Sequence, residues 1–266
     1  MFKDITIGQY IPGESIIHHL DPRTKIFAVL IYMIGLFMMD NLQGYLAITI
    51  VTALIIWFSQ IPLNYLLKGL KPIFIILTFT LVLNLFLIPG KILWSFGPLH
   101  ITVEGVRQGI FMSIRLIFLI LVTSLLTLTT TPISLTDGLE SILSPGKRIG
   151  IPAHELAMMM SIALRFIPTL LEETEKIMKA QMARGADFES GSLWNRARSM
   201  VPLLVPLFVG AFRRADDLAM AMEARCYRGS QGRTRLKQLK MASRDYIALA
   251  LMILFLLGAI IYKILW

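Results

Sequence analysis

Cysteine is almost missing from this chain: Cys226 is the only one in 266 residues. One thiol excludes an internal disulfide framework, and any zinc or iron–sulfur centre built from several thiolates. Charge is scarce as well. Asp, Glu, Lys and Arg make up 16% of the residues, against about 25% in an ordinary soluble domain. Acid is scarcer than base, 17 against 26, and the long apolar runs carry carboxylates only at their ends. That argues against a proton-coupled transporter, whose relay needs an Asp or Glu within the membrane. No G-x-x-x-x-G-K-[ST] string occurs. The nearest, Ser144-Pro145-Gly146-Lys147-Arg148, lacks the upstream glycine and the hydroxyl, so the chain has no Walker-type phosphate cradle. Of the four histidines, His18-His19 has no third ligand nearby and His154-Glu155 has no second His. Neither a metal site nor a Ser/His/Asp set follows from spacing. The first 25 residues contain Asp4, Glu14, Asp21 and two prolines, with no apolar h-region, so no cleavable signal peptide is expected.

What is abundant is hydrocarbon. Hydrophobic residues are 56% of the chain, yet the net charge is +9. An apolar chain with a basic excess reads as membrane spans with basic cytoplasmic segments, not as a nucleic-acid binder. Five apolar runs approach the roughly 20 residues that a span needs: Ile26–Met39, Leu42–Phe58, Pro72–Ile88, Gly109–Thr131 and Tyr246–Tyr262. The first is short, and spans only if Arg23 and Lys25 snorkel and Asp40 marks the far interface. The alternative is a re-entrant hairpin over Ile26–Phe58. Basic residues in the short loops alternate so as to place the N-terminus in the cytoplasm. With five spans the C-terminus then lies outside, although Lys263 weighs against that.

The segment between the fourth and last spans is different. Residues 137–245 hold 17 of the bases and 12 of the acids. Leu156–Leu171 and Met200–Phe212 are apolar but short of a span, and each runs into a charged helix, which suits the bilayer interface. Glu172–Lys176 and Glu175–Lys179 are i,i+4 pairs in the favourable order. Arg228–Lys240 has five bases and no acid.

Within this segment Glu175–Phe188 (EKIMKAQMARGADF) and Asp216–Gly229 (DDLAMAMEARCYRG) come into register at an offset of 41 residues. Each has an acidic start, a Met/Ala-rich helix and an Ala-Arg-small triplet: Ala183-Arg184-Gly185 and Ala224-Arg225-Cys226. Helix termination explains the first copy well, since Gly185 suits a left-handed end and an arginine favours the C-terminal dipole. It explains the second less well. The other reading is a pair of knobs, each an arginine whose small neighbours let the guanidinium enter a partner's groove and bind carboxylates or carbonyls. Inside the expected spans, Arg115 is either functional or a snorkel. Asn84 is a candidate interhelical contact, and Gly105-x-x-x-Gly109 allows close packing.

The N-terminal Gly8-Gln9-Tyr10-Ile11-Pro12, the run His18-x-Leu20-Asp21-Pro22-Arg23-Thr24-Lys25, the order of spans and the doubled Ala-Arg-small motif together resemble one family. It is the transmembrane T component (EcfT) of energy-coupling factor (ECF) transporters, ABC-type importers of vitamins and metals, and the likeness covers essentially the whole chain. Cys226 replaces the glycine of the strictest motif. The resemblance implies an all-α integral membrane protein of the bacterial cytoplasmic membrane. About five transmembrane helices would be joined by long coupling helices between the fourth span and the last. It divides the chain into a membrane domain (1–131), a cytoplasmic coupling domain (132–245) and a last transmembrane helix (246–266).

It also implies a scaffold without catalysis. Two ABC-type ATPases hold the ATP and Mg, this chain binds no cofactor directly, and one or several interchangeable S components bind the substrate. Arg184 then engages one ATPase and Arg225 the other, with Ala183, Gly185, Ala224 and Cys226 permitting close approach. Met158, Met159, Met160, Leu204 and Phe208 are expected to form an adaptable S-component platform, or else ordinary core. The competing readings are a permease subunit with its own substrate path, which needs an intramembrane polar cluster, and a lipid-modifying enzyme, which needs an interfacial His/Asp/Glu set.

Overall fold

A span inserted in lipid has no water to satisfy its backbone, so it must close its hydrogen bonds within itself. The computed structural model describes residues 10–96, 99–188, 192–229 and 239–265, and is helical nearly throughout. Gly8, Gln9 and most of the basic run Arg228–Lys240 lie outside the described residues. The helices are α1 (Pro22–Met38), α2 (Leu42–Ser59), α3 (Leu63–Leu70), α4 (Phe74–Leu87), α5 (Val103–Thr129), α6 (Pro132–Leu143), α7 (Ala153–Ala183), α8 (Leu193–Ala224) and α9 (Ser243–Leu265). A short antiparallel hairpin, β1 (Ile92–Phe96) and β2 (Leu99–Thr102), fills the loop before α5, where no strand was expected. Side-chain hydroxyls follow the backbone's rule. Thr49, Thr52, Thr78, Ser113, Thr123 and Thr129 each donate to the carbonyl four residues back, so they cost little in an apolar medium.

Two compact units emerge: Met1–Leu139 with Gln238–Trp266, and Glu140–Lys237. In the first, α1 packs on α5 and α9, and α5 on α4, α3 and α2. Tyr32, Leu36, Ile48 and Val122 are buried in its core, and Tyr32 shares a 2.5 Å hydrogen bond with Thr52. The glycine pair does what its spacing allows. A Cβ on Gly105 would fall 2.7 Å from the Asn84 carbonyl oxygen, and one on Gly109 would fall 3.1 Å from Leu81, so α4 and α5 touch nearly backbone to backbone.

Five helical segments are long and apolar enough to cross a membrane: Leu42–Ser59, Leu63–Leu87, Val103–Thr129, Ala153–Ala183 and Ser243–Ile264. The count agrees with expectation, but the membership does not. α1 has 17 residues, about 26 Å, one fewer than α2 and at the lower end of the range for a span. By length and composition α7 qualifies in its place, because the apolar stretch Leu156–Leu171 runs on through Pro168 into the charged run, as its sequence implied, in one helix of 31 residues.

Lys25 also departs from expectation. It does not snorkel. It is 6% exposed, and its ammonium donates to the carbonyls of His18 (3.2 Å) and Thr129 (2.9 Å) and to the Thr130 hydroxyl (3.1 Å). Around it the run from His18 to Lys25 forms a clasp. Asp21 caps α1 by accepting from Arg23 N at 3.0 Å, ahead of Pro22 at the first helical position, where a proline loses nothing. The Asp21 N–H donates to buried Asp245 at 2.7 Å, and the other Asp245 oxygen accepts from Ala242 N at 2.8 Å, capping α9. Arg23 reaches the Leu239 carbonyl at 3.2 Å. The His18 ring bridges Ser15 (2.6 Å) and the Ile11 carbonyl (3.0 Å), and Ile11 N donates to Leu128 O at 2.9 Å. Because a carbonyl only accepts, Nε2 carries the proton and Nδ1 takes the Ser15 hydroxyl. Desolvation chiefly holds this ring below the usual histidine range, helped by Lys25 and His19 and opposed by the Ile11 carbonyl.

This clasp joins the segment before α1, the end of α5 and the start of α9. Lys25→Met strands the Thr129 carbonyl and takes a cation from beside Asp21 and Asp245, leaving Asp21 with Arg23 at 3.6 Å, at a cost of about 3 kcal/mol. A thermal scan of detergent-purified protein should show the midpoint falling by roughly 6–12 °C; an unchanged midpoint would remove the clasp's structural role.

Candidate functional site

The second unit is built on α7 and α8, 31 and 32 residues long. The two helices run antiparallel. Gln181 meets the Pro202 carbonyl at 3.5 Å. Glu173 pairs with Arg214 and faces Gly210, where a Cβ would lie 3.1 Å from its carboxylate. Ile162, Phe166 and Leu170 share an apolar cavity of about 250 Å³ with Leu218 and Met222. Rising positions on α7 thus meet falling positions on α8. Between α7 and α8 the ion pair is Glu173–Arg214. Neither expected intrahelical pair, Glu172–Lys176 or Glu175–Lys179, closes among the described residues.

Both Ala-Arg-small triplets end their helices in the same way. Arg184 is the C-cap of α7 (φ −90°, ψ 7°) and Arg225 the C-cap of α8 (φ −93°, ψ 14°). The next residue is left-handed in each case, Gly185 at φ 90° and Cys226 at φ 56°. Gly185 N donates to Met182 O at 2.9 Å and Ala186 N to Gln181 O at 3.0 Å. Cys226 N donates to Glu223 O at 2.8 Å and Tyr227 N to Met222 O at 3.0 Å. Each pair of bonds is a Schellman motif. The helix-termination reading therefore covers the second copy as fully as the first, with a cysteine in a conformation that glycine prefers.

The caps decide where the arginines point. Ala183, Arg184, Gly185, Ala224, Arg225 and Cys226 are all exposed, and neither guanidinium makes a hydrogen bond or ion pair among the described residues. Arg184 lies three residues past Gln181, and Arg225 three past Met222, which shares the cavity with Ile162. From Ile162 to Gln181 a helix rises about 29 Å, so the arginines stand at opposite ends of the pair, roughly 30 Å apart.

Comparison with known proteins gives the family. The family model described as cobalt transport protein (CbiQ) matches residues 13–236. An energy-coupling factor transporter transmembrane protein EcfT of Thermosediminibacter oceani is 60% identical over 99% of this chain and 100% of its own length. Those of Ruminiclostridium cellulolyticum (55%, over 99% of this chain and 98% of its own) and Bacillus subtilis (50%, over 92% and 93%) carry the same name. The chain belongs to the EcfT family. It is a membrane component of an energy-coupling factor transporter.

The other residues singled out in this EcfT-family chain fall in separate places. Arg115 donates to the Met39 carbonyl at 3.1 Å and to Asp40 at 2.9 Å, with its guanidinium 5.2 Å from the Phe37 ring centre. It fastens α5 to the C-terminal end of α1, where a cation complements the helix dipole. Asn84 donates to the Thr80 carbonyl of its own helix at 2.7 Å, while its backbone oxygen and Cβ face the glycines of α5. Met159, Met160, Leu204 and Phe208 are exposed, and Met158 is half-buried. The antiparallel register sets Met158–Met160 opposite the end of α8, and Leu204 and Phe208 opposite residues 173–181 of α7. The structure therefore brings them together as two patches, not one. Glu173 and Arg214, which hold the pair at mid-length, lie 41 positions apart. That is the offset of the repeat, and an acid and a base at that spacing were the available signal.

The two caps differ in one way that stability measurements can read. A non-glycine left-handed residue costs about 1–2 kcal/mol, and a Cβ on Gly185 meets nothing within 4 Å, so backbone conformation alone decides both positions. Cys226→Gly should stabilise the chain by about 1 kcal/mol and Gly185→Ala should destabilise it by about 1 kcal/mol, shifts of roughly 2–4 °C in opposite directions. Shifts of the same sign would contradict the matched caps.

Proposed function

We propose that the chain is the scaffold and energy-coupling subunit of an ATP-driven importer of vitamins or other micronutrients. It links two ABC-type ATPases to one or several S components in the bacterial cytoplasmic membrane, with its N-terminus in the cytoplasm. The supporting observation is the pair of matched helix ends, which present Arg184 and Arg225 in the same local geometry at opposite ends of one antiparallel pair. Two like sockets some 30 Å apart, one on each ATPase, suit such a display. Ala183 and Gly185, and Ala224 and Cys226, leave each guanidinium unscreened by large neighbours, so its planar fork can take carboxylates or helix-end carbonyls.

ATP and Mg belong to the ATPases, and hydrolysis is theirs. When ATP draws the ATPase pair together, the sockets carry the two caps with them. The Glu173–Arg214 pair passes that displacement between α7 and α8, and the membrane-side parts of the helices deliver it to the S component. The exposed apolar patches at Met158–Met160 and at Leu204 and Phe208 supply adaptable contact surface for that partner.

Single charge reversals separate the two sockets. In detergent extracts Arg184→Glu should lose one ATPase and Arg225→Glu the other, each by at least about tenfold, since a charged hydrogen-bond partner contributes about 1.5–3 kcal/mol. The double variant should lose both while remaining in the membrane. Copurification of both ATPases with the double variant would overturn the assignment.

A further inference from the structure

α3 and the turn after it differ from the apolar helices on either side. Going round the helix at 100° per residue, Leu66, Gly69 and Leu70 face the protein. Leu66 is 1% exposed against Ile61, Leu125 and Leu128, and a Cβ on Gly69 would lie 3.1 Å from the Ser124 hydroxyl. Next come Leu63 and Leu67, 61% and 60% exposed. Then follows a stripe of Asn64, Lys68 and Lys71 at i, i+4 and i+7, all exposed, with Tyr65 on its far side. Pro62 precedes the helix, and Pro72 in the 3-10 turn Lys71–Ile73 breaks it from α4. α3 is the first part of the apolar segment Leu63–Leu87, and uncovered leucines beside lysines there are the pattern of a span's end at the bilayer interface.

The lysines have no counter-ion. No Asp or Glu occurs between Asp40 and Glu104. On α5, the helix packed against α3, Glu104 is the only acid. It is bound to Lys91 N at 2.7 Å, and lies about 30 Å along the helix from Ser124. Lys68 and Lys71 make no ion pair among the described residues. Lys68 instead sits 5.5 Å from the Tyr65 ring centre, which turns its ammonium toward the rim of the apolar surface. Two like charges three residues apart repel on a helix, unless an anion bridges them.

We propose that Lys68, Lys71 and Tyr65 form a headgroup site for an anionic phospholipid, with Leu63 and Leu67 against its acyl chains. The phosphate offsets the lysine–lysine repulsion, and the tyrosine ring holds the depth of the site at the interface. The same lysines set topology under the positive-inside rule, but topology requires neither a bordering ring nor a binding preference.

The full chain, stripped of lipid in a neutral detergent, is titrated with phosphatidylglycerol or phosphatidylcholine, and bound lipid is counted by native mass spectrometry. A preference of about tenfold for phosphatidylglycerol is expected, as each lysine near an anionic lipid surface contributes several-fold. Lys68→Gln with Lys71→Gln should reduce that preference to about twofold or less, and Lys68→Arg with Lys71→Arg should retain it. Unchanged preference in the Gln pair, or its loss in the Arg pair, overturns the site. Displacement of phosphatidylglycerol by millimolar inorganic phosphate makes it a site for free phosphate and overturns the lipid assignment.

Discussion

Hydrocarbon accepts no hydrogen bonds, and this chain is organised around that fact. Hydroxyls on the apolar helices turn back to their own carbonyls, Arg115 closes on Asp40 and the end of α1, and Lys25 is held by two carbonyls and a hydroxyl. The Lys25 clasp matters most, because it gathers chain ends that no continuous helix connects. The segment from Ile11 to His18, the first turn of α1, the last turn of α5 and the first turn of α9 all close on the same few polar atoms. Asp245, 224 residues after Asp21 in sequence, completes the cap of one helix while fixing another. Burying that many charges is favourable only when each one finds partners, and here the partners are the loose ends themselves.

The second unit reverses the rule. Among the described residues α7 and α8 are tied by the Glu173–Arg214 ion pair, a Gln181 hydrogen bond and an apolar seam, and their terminal arginines make no hydrogen bond or ion pair. A guanidinium displayed on a rigid helix end keeps its hydrogen-bonding capacity for something else. The caps add the rigidity: a Schellman motif fixes the last carbonyls and sets the direction in which the arginine leaves the helix. Under the proposed function that capacity has one use, one ATPase per arginine.

Much of this was legible in the sequence, for physical reasons. The apolar runs had to become helices, the glycine pair had to bring α4 and α5 close, and the repeat at offset 41 had to give two like structures. Other features were hidden because they depend on distant positions. Nothing near Lys25 says that it is buried, since its partners at Thr129 and Thr130 lie about a hundred residues away. The apolar stretch Leu156–Leu171 and the charged run after it were each legible, and Pro168 does not break the one helix that they form. Helix termination fitted the second copy less well, because a cysteine stands where the first copy has Gly185. The bonds from Cys226 and Tyr227 to Glu223 and Met222 hold it there. The acid–base pair Glu173–Arg214 was overshadowed by intrahelical pairs at the preferred spacing, which do not form.

The separation of the two helix ends is the claim on which the coupling account stands. Cys226 is the sole cysteine and is exposed, so it takes a spin label without removal of any other thiol. A second label at Ala186→Cys marks the first cap, and pulsed electron–electron resonance on the purified chain, where neither label has to enter a socket, reads the distance between them. The antiparallel arrangement predicts a separation of roughly 30 Å or more. A narrow distribution near 15 Å would place both arginines at one end of the pair and contradict the account.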